Sequence, residues 1–184
     1  MRLILIRHPA PQVTDGTCYG RSDVAVAPHE MSRARASLLA TLPAGVPLYA
    51  SPLRRCADLA TLLAQDLPAT ALHLDSRLAE MDFGTWEMRP WHAIARVEID
   101  AWAADVAYYR PGGGENVVAM AARVDAFLGE LLREQHETAV IICHAGTIRL
   151  LSALQTGLSL EDTALLAARS AHKIAYGAAL ALDF

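Results

Sequence analysis

Residues Met1–His8 read MRLILIRH, and this stretch decides the fold. Leu3–Ile6 is a short aliphatic run suited to a buried strand. It ends in two polar residues, Arg7-His8, followed by Pro9-Ala10-Pro11. A buried strand that carries an Arg and a His to the edge of a sheet is unusual as packing and ordinary as active-site construction. The guanidinium is a fixed cation that grips phosphate or carboxylate in bidentate fashion. The imidazole is a nucleophile or proton carrier near neutral pH.

Working outward, Val46–Ala50, Thr70–Leu74 and Thr138–Cys143 read as three further strands. Ser32–Leu42 is an Ala/Leu-rich helix stopped by Pro43 and Gly45. Ser51-Pro52 supplies an N-cap and a first-turn proline for a helix to Asp66. Trp91–Trp102 reads as a helix. Asn116 caps a long one to about Gln135, with Val117, Met120, Val124, Phe127 and Leu131 at helical spacing. Gly146–Thr156 follows the fourth strand as a helix, and Lys173–Phe184 reads as a terminal hairpin turning at Gly177. Alternating strands and helices imply an α/β sandwich on a mostly parallel sheet. One domain spanning 1–184 is expected, with a small cap contributed by about 76–114.

The chain has 184 residues, 53% of them hydrophobic, enough for one substantial core. Net charge is −4 with no basic stretch, which argues against nucleic acid as a partner. No apolar run approaches a membrane span, and Met1–Ile6 is too short for a signal-peptide core, so no membrane partner and a cytoplasmic location are expected. Cys18, Cys56 and Cys143 are odd in number and lack CxxC spacing, which argues against structural disulfides and a zinc site. Composition leaves the oligomeric state open.

Three strand ends carry polar residues of one chemical kind: Arg7-His8, Ser51-Pro52-Leu53-Arg54 and Cys143-His144-Ala145-Gly146. In a parallel sheet these ends share one edge, bringing together two guanidinium groups, two imidazoles and two helix N-termini. Helix N-termini present free amides and partial positive charge. The expected ligand is a dianion such as a small-molecule phosphate monoester. Its proton source is sought in Leu78-Ala79-Glu80-Met81-Asp82-Phe83-Gly84, because a partly buried carboxyl near bound phosphate favours its neutral form.

Taken in order, these motifs resemble the histidine phosphatase superfamily, the phosphoglycerate mutase-like family. The match runs through Arg7-His8, Ser51–Arg54, Leu78-Ala79-Glu80 with Phe83–Glu87, Pro111–Glu115 and His144–Arg149. The resemblance implies a three-layer α/β/α sandwich, His8 as the phosphorylated nucleophile and Glu80 as general acid. It implies that Arg7, Arg54 and His144, the last as imidazolium, bind the phosphoryl group, with Ala145 beside them. It implies neither cofactor nor metal. Three positions depart from the pattern: Pro9 where Gly is usual, Thr14 where Asn is common, and Met88 where Gly usually follows Trp86-Glu87. Pro9 and the stretch Cys18-Tyr19-Gly20-Arg21-Ser22-Asp23 look like the cobalamin-pathway branch, which hydrolyses α-ribazole 5′-phosphate. That likeness adds Tyr19, Gly20 and Arg21 as substrate-binding candidates.

Rival readings remain on the residues alone. Sugar-phosphate and broad-specificity phosphatases share most of these motifs, and so do phosphoglycerate mutases, which are usually longer. Cys143 to Arg149 satisfies the Cys-x5-Arg spacing of cysteine-dependent phosphatases, with Cys143 as nucleophile. A catalytically inactive phosphate-binding scaffold is the reading from another class. Trp86, Trp91 and Trp102 are read as packing, and His29, His73, His92, His136 and His172 as ordinary.

Overall fold

The computed structural model describes residues 1–171 and 174–184. Five strands form one sheet in the order β3-β2-β4-β1-β5: β1 (Arg2–Arg7), β2 (Leu48–Ala50), β3 (Leu72–Leu74), β4 (Thr138–Cys143) and β5 (Ala179–Asp183). Pairings among β1 to β4 are parallel, and β5 lies antiparallel along β1. Six α-helices accompany them among the described residues: α1 (Pro28–Leu39), α2 (Arg54–Asp66), α3 (Arg96–Ala104), α4 (Val117–Arg133), α5 (Ala145–Leu154) and α6 (Leu160–Arg169).

Side chains on the central strands alternate between two cores, as the strand period of two demands. Leu3, Leu5, Ala139, Ile141, Cys143 and Tyr49 face one side, against apolar residues of α4, α5 and α6. Ile6, Val140, Ile142, Leu48 and Ala50 face the other, against Met31, Ala34 and Leu38 of α1 and Cys56, Leu59, Ala60 and Leu63 of α2. These are the three layers expected. A third, smaller cluster joins Trp86, Ile94 and Cys18 with Phe83, Ile99, Trp102 and Tyr109 beyond the strand ends.

Several boundaries differ from the sequence reading for identifiable reasons. Helix α2 starts at Arg54 with Leu53 as its cap residue; the one backbone N–H that the Ser51 hydroxyl accepts from is that of Leu53, at 3.3 Å, so Ser51-Pro52 stands ahead of the helix. Trp91–Ala93 is a single 3₁₀ turn and α3 begins at Arg96, because extended Ile94 and Ala95 interrupt the run. Helix α6 went unread: its buried stripe of Thr163, Ala164 and Ala167 is too small to stand out. The expected hairpin is one strand. Lys173, like His172, lies outside the described residues. From Ile174 onward the chain forms β5 alone, since Gly177 N–H is spent on the carbonyls of Arg7 and His8.

Candidate active site

Register places the strand ends level. Arg7 pairs with Cys143 and Ala50 with Ile142, and the ladder continues one step, with His8 N–H donating to Cys143 O at 3.0 Å and Ser51 N–H to Ile142 O at 3.0 Å. His8, Ser51 and His144 thus meet at the carboxyl edge of the sheet, where ligands of such folds bind. A cavity of about 420 Å³ opens there. Its polar lining includes Arg7, His8, Tyr19, Arg55, Glu80, Arg149 and Tyr176, with Ala145 and Gly146 of α5. Its apolar lining includes Phe83, Trp91, Trp102, Val106, Val117, Met120 and Leu150.

His8 is 3% exposed. Its Nδ1 lies 2.7 Å from Pro9 O, and a carbonyl can only accept, so Nδ1 carries the proton. Nε2 keeps its lone pair and has no hydrogen-bond partner among the described residues. Burial, then the Arg55 and Arg7 charges, pull the imidazole down to about 3 against the Pro9 bond. His8 is therefore neutral at physiological pH, as a nucleophile must be. Pro9 costs the site an amide and still supplies the carbonyl that sets the tautomer.

His144 is fully buried, its ring 5.1 Å from that of His8. Arg55 Nε–H donates to its Nδ1 at 3.2 Å, and its Nε2 stands 2.8 Å from Ser51 Oγ. A guanidinium cannot accept, so Nδ1 is the acceptor and Nε2–H donates to Ser51. Burial and then the Arg55 charge hold His144 well below its ordinary value. The expected imidazolium is thus corrected to a neutral ring, because a second buried cation would face Arg55.

Arg54 is a further correction. It faces solvent on the first turn of α2 beside Asp58, 3.8 Å away, and its N–H donates to Asp23 Oδ1 at 2.7 Å. That bond also occupies the α2 N-terminus, so of the two expected helix ends only α5 lines the cavity. Arg55 is the guanidinium that lines it, fully buried. The signal was helical spacing: Arg55, Leu59 and Leu63 form the buried stripe, whereas Arg54 lies one turn before Asp58. Arg55 also donates to Ser22 O at 2.7 Å and to Gly20 O. Three of its five N–H donors are used and two are free. Among the described residues neither Arg7, Arg55 nor Arg149 forms an ion pair.

Glu80 reaches the cavity, accepting from Gly146 N–H at 3.0 Å and from Met81 N–H at 3.1 Å. Arg123 of α4 fixes the segment behind it. It donates to the carbonyls of Arg77 at 2.6 Å and Ala79 at 2.7 Å while paired with Glu115 at 2.8 Å. The neighbouring carboxylates are spent elsewhere. Asp82 accepts from Gly84 N–H at 2.7 Å. Burial pushes Glu87 up, but bonds from Gly20, Ser22, Phe83 and Arg21 outweigh it and hold the carboxyl below its ordinary range.

Of the other candidates, Tyr19 and Ala145 line the cavity. Gly20 and Arg21 do not: their N–H groups bind Glu87, and the Arg21 side chain borders a separate groove with Arg110 and Asn116. Trp86 is fully buried, whereas Trp91 and Trp102 line the cavity, parallel to within 5°. The sequence reading missed Tyr176, which carries no motif, and Arg149 as a wall residue. Cys143 is fully buried in the core, and burial holds its thiol well above the ordinary value, so it is neither presented to the cavity nor a thiolate. Among the described residues no His/Cys/Asp/Glu cluster could hold a metal.

Half-buried Arg7 and fully buried Arg55 form no ion pair among the described residues and suit a dianion, with the unpartnered His8 Nε2 in the same cavity. An α/β/α fold with that pocket defines an enzyme of phosphate monoesters. The Histidine phosphatase superfamily (branch 1) matches residues 3–175, and the chain belongs to that family. It is 32% identical over 171 residues to the adenosylcobalamin/alpha-ribazole phosphatase of Escherichia coli, covering 88% of this chain and 82% of that one. It is 30% identical over 173 residues to the glucosyl-3-phosphoglycerate phosphatase of Mycobacterium tuberculosis, covering 83% and 74%. The solved alpha-ribazole phosphatase from Shigella flexneri superposes with a TM-score of 0.82 at 28% identity, over 100% of this chain and 90% of that one. With these relatives, the protein is a phosphatase.

Proposed function

We propose that the protein is a metal-independent phosphomonoesterase that works through a phosphohistidine, with α-ribazole 5′-phosphate as substrate. The observation that carries the chemistry is the His8 tautomer: Nδ1–H tied to Pro9 O and Nε2 without a partner in the cavity. Nε2 attacks phosphorus in line, forming the N–P bond as the P–O bond to the alcohol breaks. Arg7, Arg55 and the Ala145 N–H at the start of α5 take the charge on the equatorial oxygens. Glu80 gives its proton to the leaving oxygen. As carboxylate it then takes a proton from the water that attacks phosphorus and frees His8.

The choice of leaving group rests on three supports: the 18–23 stretch, the relatives named for α-ribazole, and the cavity wall. Phe83, Trp91, Trp102, Val106, Val117, Met120 and Leu150 suit a flat, largely apolar alcohol better than a bare sugar, which needs hydrogen-bonding partners. The relative from Mycobacterium tuberculosis carries the alternative, a sugar-phosphate substrate.

The experiment is phosphate release from α-ribazole 5′-phosphate, 3-phosphoglycerate, sugar phosphates and a phosphotyrosine peptide, with His8→Ala beside wild type. Strong preference for α-ribazole 5′-phosphate, lost in the variant, is the expected result. Activity spread evenly across the panel overturns the substrate, and turnover surviving in His8→Ala overturns the mechanism.

A further inference from the structure

Two tyrosines 157 residues apart meet over the nucleophile, with Tyr19 Oη and Tyr176 Oη 2.6 Å apart. Tyr19 belongs to the loop that Glu87 holds through Gly20, Arg21 and Ser22. Tyr176 precedes Gly177, whose N–H docks on the carbonyls of Arg7 and His8. The Tyr176 ring lies 5.5 Å from that of His8, and the Arg7 guanidinium carbon sits 3.8 Å above its centroid. Arg55 is over Tyr19 at 5.5 Å. Each phosphate-facing guanidinium thus has one of the paired phenols beside it.

Arg7 is held by little else. Its NH1 donates to Ile174 O at 2.9 Å, and its Nε is buried without a partner among the described residues. An aromatic face is the remaining restraint on its plane, and a desolvated guanidinium gains from it. The hydroxyls carry two hydrogens between them, and their mutual bond uses one. Burial, then the bond to Tyr176, raises Tyr19 above the ordinary phenol value, so its proton stays on.

Building on the phosphatase reading, we propose that Tyr19 and Tyr176 form a paired-phenol gate over His8. The pair offers its spare O–H to a phosphoryl oxygen, and the Tyr176 ring is the platform that positions Arg7. The gate joins two separately held loops, that of Tyr19 fixed by Glu87 and that of Tyr176 by the carbonyls of Arg7 and His8. Bound phosphate, which accepts that O–H, tightens it.

The test uses the full chain with Tyr19→Phe, Tyr176→Phe, the double Phe variant and Tyr176→Leu. Inorganic phosphate binding is read by calorimetry and 4-nitrophenyl phosphate turnover beside it. The double Phe variant, which leaves no hydroxyl over His8, is expected to weaken phosphate binding about threefold to tenfold, the worth of one hydrogen bond, with the loss in KM exceeding that in kcat. Each single Phe variant frees the remaining O–H from its phenol partner and should lose less than the double. Tyr176→Leu should lower kcat by a further factor of about ten, and Tyr176→Phe, which keeps the ring, should not. Phosphate affinity within about twofold of wild type in the double variant, or a single variant as weak as the double, overturns the gate. Equal kcat in Tyr176→Leu and Tyr176→Phe overturns the platform. Should the Leu variant fail to fold, the Phe series still decides the gate. Wild-type protein that binds phosphate without turnover overturns the phosphatase reading, and the binding series then judges the gate separately.

Discussion

At the scale of single residues, one position along α2 separates a surface charge from the phosphate site. Arg54 pairs loosely with Asp58 in solvent, while Arg55 is fully buried against His144. Steady-state kinetics should therefore show Arg55→Ala losing about 10²–10³-fold in kcat/KM. Arg54→Ala should stay within about threefold of wild type, as a surface change away from the site. The same burial makes a prediction about pH. His8 titrates near 3 in the folded protein against an ordinary 6.5, and His144 is lowered as well. Between those limits the unfolded chain binds the protons that the folded chain refuses. Stability is therefore complete above pH 6.5 and lost as pH falls toward 3, approaching about 1.4 kcal/mol per pH unit for each histidine. Urea unfolding across this range should show a shallower slope for His8→Gln than for wild type. An unchanged slope would assign the loss to His144 and to carboxylates.

Between elements, the tight contacts lie where a backbone turn meets a functional side chain. A Cβ on Gly146 would stand 2.2 Å from Glu80 Oε1, so α5 can receive that carboxylate at its N-terminus only through a glycine. Gly146→Ala should push Glu80 aside and lower kcat about 10- to 100-fold while the thermal midpoint moves little, since the clash is with the end of a flexible side chain. Retained kcat would show that Glu80 need not sit there. Met88, which takes the place of a family glycine, has φ +60 and is half exposed. It carries left-handed strain at the end of the turn that holds Glu87. Met88→Gly should raise stability by about 1 kcal/mol in chemical denaturation, because the strain is relieved and the half-exposed side chain adds little packing.

Across the whole molecule, positive charge from three places converges on one cavity: Arg7 from the end of β1, Arg55 from α2 and the N-terminus of α5. In the proposed mechanism these groups supply the cations that a phosphoryl transition state needs. Phosphatase activity should thus be unchanged by prolonged dialysis against EDTA. A loss restored by a divalent ion would overturn the metal-independent mechanism.

The legible part of this protein was the part written in local pattern. Aliphatic runs such as Leu3–Ile6 and Thr138–Cys143 are too apolar to lie anywhere but inside a sheet, and the polar residues just after them must emerge at its edge. From these followed the sheet, its layers, and the placement of His8 and His144 at one edge of it, with Glu80 reached through its own motif. Three things were decided by tertiary structure. Which of two adjacent arginines turned inward depended on where α2 began, and Asp23, 31 residues away, set that start by taking Arg54 N–H. The neutral state of His144 followed from its burial and then from Arg55, which donates to it across 89 residues. Tyr176 joined the site because Gly177 docked on β1. Strand burial and helical spacing are properties of neighbours along the chain. Hydrogen-bond direction, desolvation and ring contacts belong to neighbours in space, and no window of sequence contains them.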